Sequence, residues 1–255
     1  MPTVQIYPSG ADLNEAAADF IVTTALEAIE RSERFTFALS GGSTPEKVYA
    51  LLAEKARASK IDWTKVFIFV GDERYVPYDD KRSNYGMAQR QMLNHVPIPA
   101  GNLHPIPTNL ASPAEAAEAY AQILAEFFEL PVHGKELPKL DLNLLGLGDD
   151  GHTASLFPGM PTVHVADKWT VSTPAGTLPP HVDRVSLTFP VLNAAHVILM
   201  LVAGEKKAAV LSEVLEMGPS PDVHPAVNVR GTKGSTLLWM IDRGAATKVA
   251  AKSLS

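Results

Sequence analysis

The chain has 255 residues, of which 46 % are hydrophobic and 20 % charged, a balance typical of a globular protein with a buried core. Its net charge of −6 without a basic stripe argues against a general nucleic-acid surface, and the absence of cysteine excludes disulfides and a thiolate nucleophile. The longest apolar run, residues 197–203, is too short to span a membrane, and no signal-peptide pattern is visible. We therefore expect one cytoplasmic domain over residues 1–255, with no nucleic-acid or membrane partner.

Strand and helix signals alternate along the chain. Continuous or alternating apolar runs predict strands, and apolar residues at helical spacing predict helices between them. The predicted strands are residues 4–7, 35–39, 65–70, 140–145, 169–172, 184–189, 196–202 and 235–241. The predicted helices cover residues 12–31 with Asp12 as N-cap, start at Thr44 and Ser83, cover residues 112–128 and 204–217, and include a short one at the end. This alternation predicts an α/β fold, a doubly wound parallel sheet with helices on both faces.

A glycine-rich turn follows the strand at 35–39. Residues 40–46 contain Gly41, Gly42 and Ser43, after which Thr44 as N-cap and Pro45 at the first helical position predict a helix start. Ser43 and Glu46 offer an alternative capping box. Free amides at a helix N-terminus stabilise an anion or oxyanion, although a plain strand-to-helix turn is the alternative.

Two cations are candidates for anion binding on the evidence of their positions alone. Arg74 lies in residues 71–77, just beyond a strand and therefore at the ligand-binding edge of a parallel sheet, where its planar fork suits a phosphate. A surface pair of Asp72 and Arg74 is the alternative. Lys207 lies in a first helical turn, where a lysine opposes the helix dipole. A solvated lysine is the alternative there, and Lys206 competes for the same role.

The most concentrated chemistry lies in the central loop, residues 146–159, directly after a strand. Asp149, Asp150 and His152 lie within four residues, and a neighbouring carboxylate can orient a histidine as a general base near neutral pH. The loop also matches the Gly-x-Gly-x-x-Gly dinucleotide fingerprint, but the two aspartates at its variable positions would repel a pyrophosphate. We therefore favour a histidine-centred site over a nucleotide site or a solvated turn.

The other histidines show no metal-ligand cluster and are expected to be structural or at the surface. They are His95, His104, His133, His164, His181, His196 and His224.

Four segments together resemble the 6-phosphogluconolactonase family. They are residues 40–45, 71–77, 83–85 and 146–158, in the family's order and across nearly the whole chain. The resemblance implies a Rossmann-like, mostly parallel sheet shared with the sugar-phosphate isomerase/deaminase superfamily. It also implies hydrolysis of 6-phospho-D-glucono-1,5-lactone to 6-phospho-D-gluconate in the oxidative pentose phosphate pathway, with no cofactor and no metal.

The residue chemistry is compatible with that reaction. A lactone is an activated ester, so one general base and an oxyanion site suffice. We expect His152 to activate a water molecule and Asp150 to orient the imidazole. The resemblance also aligns Arg184 with an arginine that opens a strand and Lys207 with a lysine three residues after a glycine. The residues expected to bind the substrate and its phosphate are Gly41, Gly42, Ser43, Asp72, Arg74, Arg184 and Lys207.

Two alternatives remain. The related glucosamine-6-phosphate deaminases carry a catalytic glutamate just before the proline that ends the loop, where this chain has Phe157, which cannot carry a proton. A non-enzymatic sugar-phosphate sensor would have little use for the pair of Asp150 and His152. The oligomeric state is left open between monomer and dimer.

Overall fold

The main sheet is parallel, as the alternation of strands and helices predicts. The computed structural model describes residues 3–216 and 220–250. Its main sheet has the strand order β1-β9-β8-β5-β2-β3, all pairs parallel. These strands are β1 (Thr3–Tyr7), β2 (Phe35–Leu39), β3 (Val66–Val70), β5 (Leu142–Gly146), β8 (Val197–Val202) and β9 (Thr236–Asp242).

A second, antiparallel sheet of three strands has the order β4-β7-β6. Its strands are β4 (Asp72–Arg74), β6 (Thr170–Thr173) and β7 (Arg184–Leu187). The sequence analysis identifies β6 and β7 as strands but does not separate them from the main sheet, and it treats β4 as a loop. Pairing with β7 makes β4 a strand, although it is only three residues long.

The α-helices lie between these strands. They are α1 (Gly10–Ser32), α2 (Ser43–Ala53), α3 (Lys55–Ala58), α4 (Asn84–Ala88), α5 (Pro113–Phe128), α6 (Phe189–Ala194), α7 (Ala208–Leu215) and α8 (Arg243–Ala246). A π-helical turn, Gln89–Leu93, extends α4, and short 3-10 turns lie at Trp63–Lys65, Ala100–Asn102, Pro161–His164, Glu205–Lys207 and Pro225–Asn228. The predicted helix end at Met217 and loop start at Pro219 lie outside the described residues.

Helices cover both faces of the main sheet. Phe37 of β2 shares a small apolar cavity with Ile21 of α1 and Leu52 of α2. On β3, Phe69 points to the opposite face from Ile68, because successive side chains of a strand alternate, and it packs edge-on against Phe127 of α5. The Rossmann-like, doubly wound α/β prediction is confirmed.

Two predicted helix starts are wrong by one to three residues. The N-cap of α1 is Ser9, whose hydroxyl accepts a hydrogen bond from the Asp12 amide, so Asp12 lies in the first turn instead of capping it. Helix α2 begins at Ser43, after Gly42 with φ of 107°, so Thr44 is already helical. The first error arises because Ser9 and Asp12 are both good cap residues, whereas the cap of α2 is Gly42, which has no side chain to signal it.

Four neighbouring strands of the main sheet end at the edge where the candidate site lies. Strands β8, β5, β2 and β3 are neighbours in the sheet. The segments that follow their carboxyl ends carry all of the candidate site residues except Arg184, which lies on β7 of the small sheet. Two of these strands, β2 and β3, are each fixed at the carboxyl end by a buried tyrosine. The Tyr49 hydroxyl bonds both the amide and the carbonyl of Ser40, and Tyr120 does the same for Val70. In the part of the chain that the structure describes, no helix is long and apolar enough to cross a bilayer.

Candidate active site

The central loop folds back on itself after β5. The Gly148 amide donates to the His152 carbonyl at 2.8 Å, and the Thr153 hydroxyl donates to the Gly146 carbonyl at 2.9 Å. A Cβ atom at Gly148 would lie 2.1 Å from His152 Nδ1, so only glycine lets the ring lie against this turn. The sequence therefore places the imidazole on a backbone turn that is closed by its own hydrogen bonds.

Asp150 holds the His152 ring. Its Oδ1 lies 2.5 Å from His152 Nδ1 and also accepts the His152 amide at 3.1 Å. An ionised carboxylate only accepts hydrogen bonds, so Nδ1 carries the proton and the neutral ring keeps its lone pair on Nε2. Burial raises the pKa of Asp150, but hydrogen bonds from His152 and the charge that this ring carries when protonated outweigh burial and hold the pKa below its usual value. The arrangement is one that a general base requires.

Two arginines face each other across the small sheet. Arg74 of β4 and Arg184 of β7 are register partners. Arg184 is only 4 % exposed, and its guanidinium donates to the carbonyls of Pro180 at 2.7 Å and Val182 at 3.0 Å. Burial, and then the charge of Arg74, lower the pKa of Arg184 to about 10, against the opposing effect of Asp72 and Glu73.

The charge and hydrogen-bonding of this arginine pair suit the binding of an anion. Like charges directly opposite in a sheet are destabilising, and a bound anion would relieve that repulsion. Arg74 donates through Nη1 to the Arg82 carbonyl at 2.6 Å, while its buried Nε has no hydrogen-bond partner among the described residues. A dianion such as a phosphate monoester would offset the repulsion between the two arginines and would accept a hydrogen bond from Nε of Arg74.

Asp72 and Glu73 are adjacent but differ in role. The Asp72 carboxylate lies in the site and accepts a 2.5 Å hydrogen bond from the Ser155 hydroxyl, which ties β4 to the central loop. Glu73 is fully buried and accepts from the amides of Asn84 and Tyr85 at the start of α4, from the Arg74 amide and from the Ser83 hydroxyl. Burial raises the pKa of Glu73 to about 7, although these hydrogen bonds oppose it. Glu73 therefore stabilises the N-terminus of α4.

A cleft of about 230 Å³ brings these groups together. Seven of the predicted site residues line it, namely Gly41, Gly42, Asp72, Arg74, His152, Arg184 and Lys207. Asp150 is not in the lining and contacts the Nδ1 side of the His152 ring. Ser43 is exposed at the first position of α2 and does not line the cleft, so its predicted placement there is not reproduced. Lys207 lines the cleft and forms an ion pair with Asp149, whereas Lys206 is not among the lining residues.

The cleft also contains residues to which sequence reasoning gave no role. Asn84 lies beside Gly41, where a Cβ atom would be 1.9 Å from Asn84 Oδ1, and its amide donates to the Asp72 carbonyl at 2.8 Å. Asn84 and Ser155 belong to the segments that carry the family resemblance, so the resemblance could have identified both as site residues. Leu178 and Pro179 form an apolar wall from a proline-rich loop that offered no such signal. Phe157 is packed 4.8 Å from the His152 ring, centroid to centroid.

Within residues 3–216 and 220–250, no group of three or more histidine, cysteine, aspartate or glutamate side chains is arranged to hold a metal ion.

The chain is similar to known proteins over nearly its whole length. The family model described as glucosamine-6-phosphate isomerases/6-phosphogluconolactonase matches residues 8–239. A 6-phosphogluconolactonase of Synechocystis sp. is 39 % identical over 245 residues, covering 96 % of this chain and 97 % of the relative. Another from Nostoc sp. is 38 % identical over 248 residues, covering 97 % and 98 %. The solved structure of 6-phosphogluconolactonase from Trypanosoma cruzi is 29 % identical, with 98 % of each chain covered and a TM-score of 0.86. The chain therefore belongs to the glucosamine-6-phosphate isomerase/6-phosphogluconolactonase family.

Proposed function

We propose that this protein hydrolyses 6-phospho-D-glucono-1,5-lactone to 6-phospho-D-gluconate, the reaction in the names of its relatives from Synechocystis and Nostoc. One observation carries the proposal. An imidazole oriented by Asp150 shares a single cleft with two arginines that are register partners across the small sheet. A base beside an anion site is what a phosphorylated ester requires.

The reaction begins with water. His152 Nε2 takes a proton from a water molecule as its oxygen bonds to C1 of the lactone, and the negative charge moves to the carbonyl oxygen. Collapse of this intermediate breaks the bond between C1 and the ring oxygen. The departing ring oxygen then takes the proton from the imidazolium. The new carboxylic acid then ionises. Asp150 stabilises the imidazolium in between, since its pKa is held low and it stays ionised at neutral pH.

The remaining groups bind. The amides of Gly41 and Gly42, where β2 runs into α2, are the candidates for the oxyanion or the sugar oxygens, and the Ser43 amide is the next donor in that turn. Arg74 and Arg184 are the phosphate ligands. Lys207 joins them by exchanging Asp149 for the phosphate. Asp72 holds the Ser155 hydroxyl and borders the sugar.

The isomerising alternative is less well supported. That reaction needs a proton-carrying side chain at the position of Phe157, which is an aromatic ring packed on His152. The tight placement of Asp150 on His152 also speaks against a sugar-phosphate sensor, which needs no oriented base.

The deciding experiment is a lactone-hydrolysis assay with the spontaneous background subtracted, beside a glucosamine-6-phosphate deamination assay on the same preparation. We expect hydrolysis and no deamination. Deamination without hydrolysis would assign the chain to the other branch of its family. The cytoplasmic location remains a prediction of the sequence, to be tested by cell fractionation.

A further inference from the structure

A C-terminal segment lies against the central loop. We call residues 220–228 the brace. The Ala226 amide donates to the Gly151 carbonyl at 2.9 Å, and the Gly159 amide donates to the Asp222 carbonyl at 2.9 Å. The brace thus contacts the central loop at Gly151, one residue from Asp150, and at its last residue, Gly159.

His224 makes the contact next to the proposed base. Its Nδ1 lies 3.2 Å from the Asp150 carbonyl oxygen, and its Nε2 lies 2.6 Å from Glu213 Oε2 on α7. The ring fills the space beside Gly151, where a Cβ atom would lie 2.3 Å from His224 Nδ1, and the side chain is only 12 % exposed. The sequence analysis gave this histidine no role beyond a structural or surface one.

The chemistry of the two contacts is informative. A peptide carbonyl and an ionised carboxylate both accept hydrogen bonds, so the His224 ring lies between two acceptors, the Asp150 carbonyl and the Glu213 carboxylate. Glu213 thereby holds the ring against the Asp150 peptide. Asp150 uses its side chain on His152 and its backbone carbonyl on His224, so a shift of that peptide moves the carboxylate relative to His152.

We propose that His224, fixed by Glu213, is a positioning residue that holds the Asp150 peptide so that the Asp150 carboxylate stays on His152 Nδ1. This inference rests on the proposed role of His152 as general base. It deepens that proposal by extending the chain of hydrogen bonds from the base to α7.

The test compares His224→Leu and Glu213→Gln with His164→Leu. His164 is the matched control, because it also pairs with a carboxylate, Asp222 of the brace, at 2.6 Å, but none of its hydrogen bonds within the described residues reaches Asp150. We expect kcat for lactone hydrolysis to fall about two- to tenfold in the first two variants, the worth of one hydrogen bond, with KM unchanged. The control should keep the wild-type kcat.

A double-mutant cycle separates positioning from general support. If His224 acts through Asp150, His224→Leu should cost nothing further in an Asp150→Asn background. An additive loss in the cycle, or an unchanged kcat in both single variants, would overturn the proposal. If His224→Leu fails to fold, Glu213→Gln decides by the same kcat and cycle criteria.

A second readout does not depend on turnover. The ¹⁵N chemical shifts of the His152 ring should report a proton on Nδ1 in the wild type and a mixture of tautomers in His224→Leu. Absence of lactone hydrolysis by the wild type would refute the proposed function alone, whereas identical His152 spectra in both proteins would refute the role of His224.

Discussion

Replacing Arg74 by alanine should separate phosphate recognition from folding. In the free protein the change removes the hydrogen bond to the Arg82 carbonyl, worth about 0.5–1.5 kcal/mol. It also relieves the repulsion with Arg184 across the strand pair, worth about 0.2–1 kcal/mol. The two effects oppose each other, so the free energy of unfolding should change by less than about 1.5 kcal/mol.

Binding should change far more. A charge-assisted hydrogen bond to phosphate is worth about 1.5–3 kcal/mol, so KM for the phosphorylated lactone should rise about ten- to 150-fold. The reaction with the unphosphorylated lactone, which offers Arg74 no anion, should change little. Steady-state kinetics on both lactones, beside urea unfolding of the same protein, measures both quantities.

Arg82→Ala is the matched control. Arg82 lies eight residues further on and bonds a half-buried carboxylate, that of Asp80, and neither residue is in the cleft lining. Its removal should leave KM for both lactones near the wild-type value. Equal losses toward both lactones in Arg74→Ala would show that Arg74 supports the structure of β4 and does not bind phosphate.

Three further outcomes are expected. Hydrolysis should persist in EDTA, and a loss that a divalent ion restores would refute the metal-free mechanism. Gly148→Ala should lower kcat at least tenfold because the new Cβ meets the His152 ring, whereas Gly101→Ala, with nothing within 4 Å of its new Cβ, should be neutral in the same assay. The folded-state pKa of Asp150 is lowered, so its contribution to stability is complete above the unfolded pKa near 3.9 and is lost as pH falls through the folded value. Urea unfolding between pH 2 and 7 should therefore show the stability gap between wild type and Asp150→Asn closing at the acid end, and a constant gap would contradict that assignment.

The main sheet and its helices were predictable because their apolar periodicity is local. The helix starts predicted at Ser83 and Ser112 are also correct to the residue of the cap, and in both cases the serine hydroxyl accepts a backbone amide of the first turn. The antiparallel sheet was not predictable, since β4 becomes a strand only through its pairing with β7, more than 100 residues away.

The residues of the site could also be predicted from the sequence only where the signal is local. The central loop and the two arginines could be found from residue type and resemblance, but the face-to-face placement of Arg74 and Arg184 depends on the β4–β7 register. Nothing in the sequence distinguishes the roles of Asp72 and Glu73, which follow from burial. The sequence likewise does not distinguish Lys206 from Lys207, whereas the structure has only Lys207 of the two in the cleft lining.

The most direct test of the central claim is the pH dependence of turnover by wild type, His152→Ala and His152→Asn, after subtraction of spontaneous hydrolysis. That background rises with pH and would otherwise imitate a base. If His152 is the general base, the wild-type rate falls as the imidazole becomes protonated. Both variants fold normally and lose about two to four powers of ten in kcat, and asparagine does no better than alanine because it cannot take a proton. A His152→Ala protein with near wild-type kcat would contradict the account, and the base would then have to be another group of the cleft.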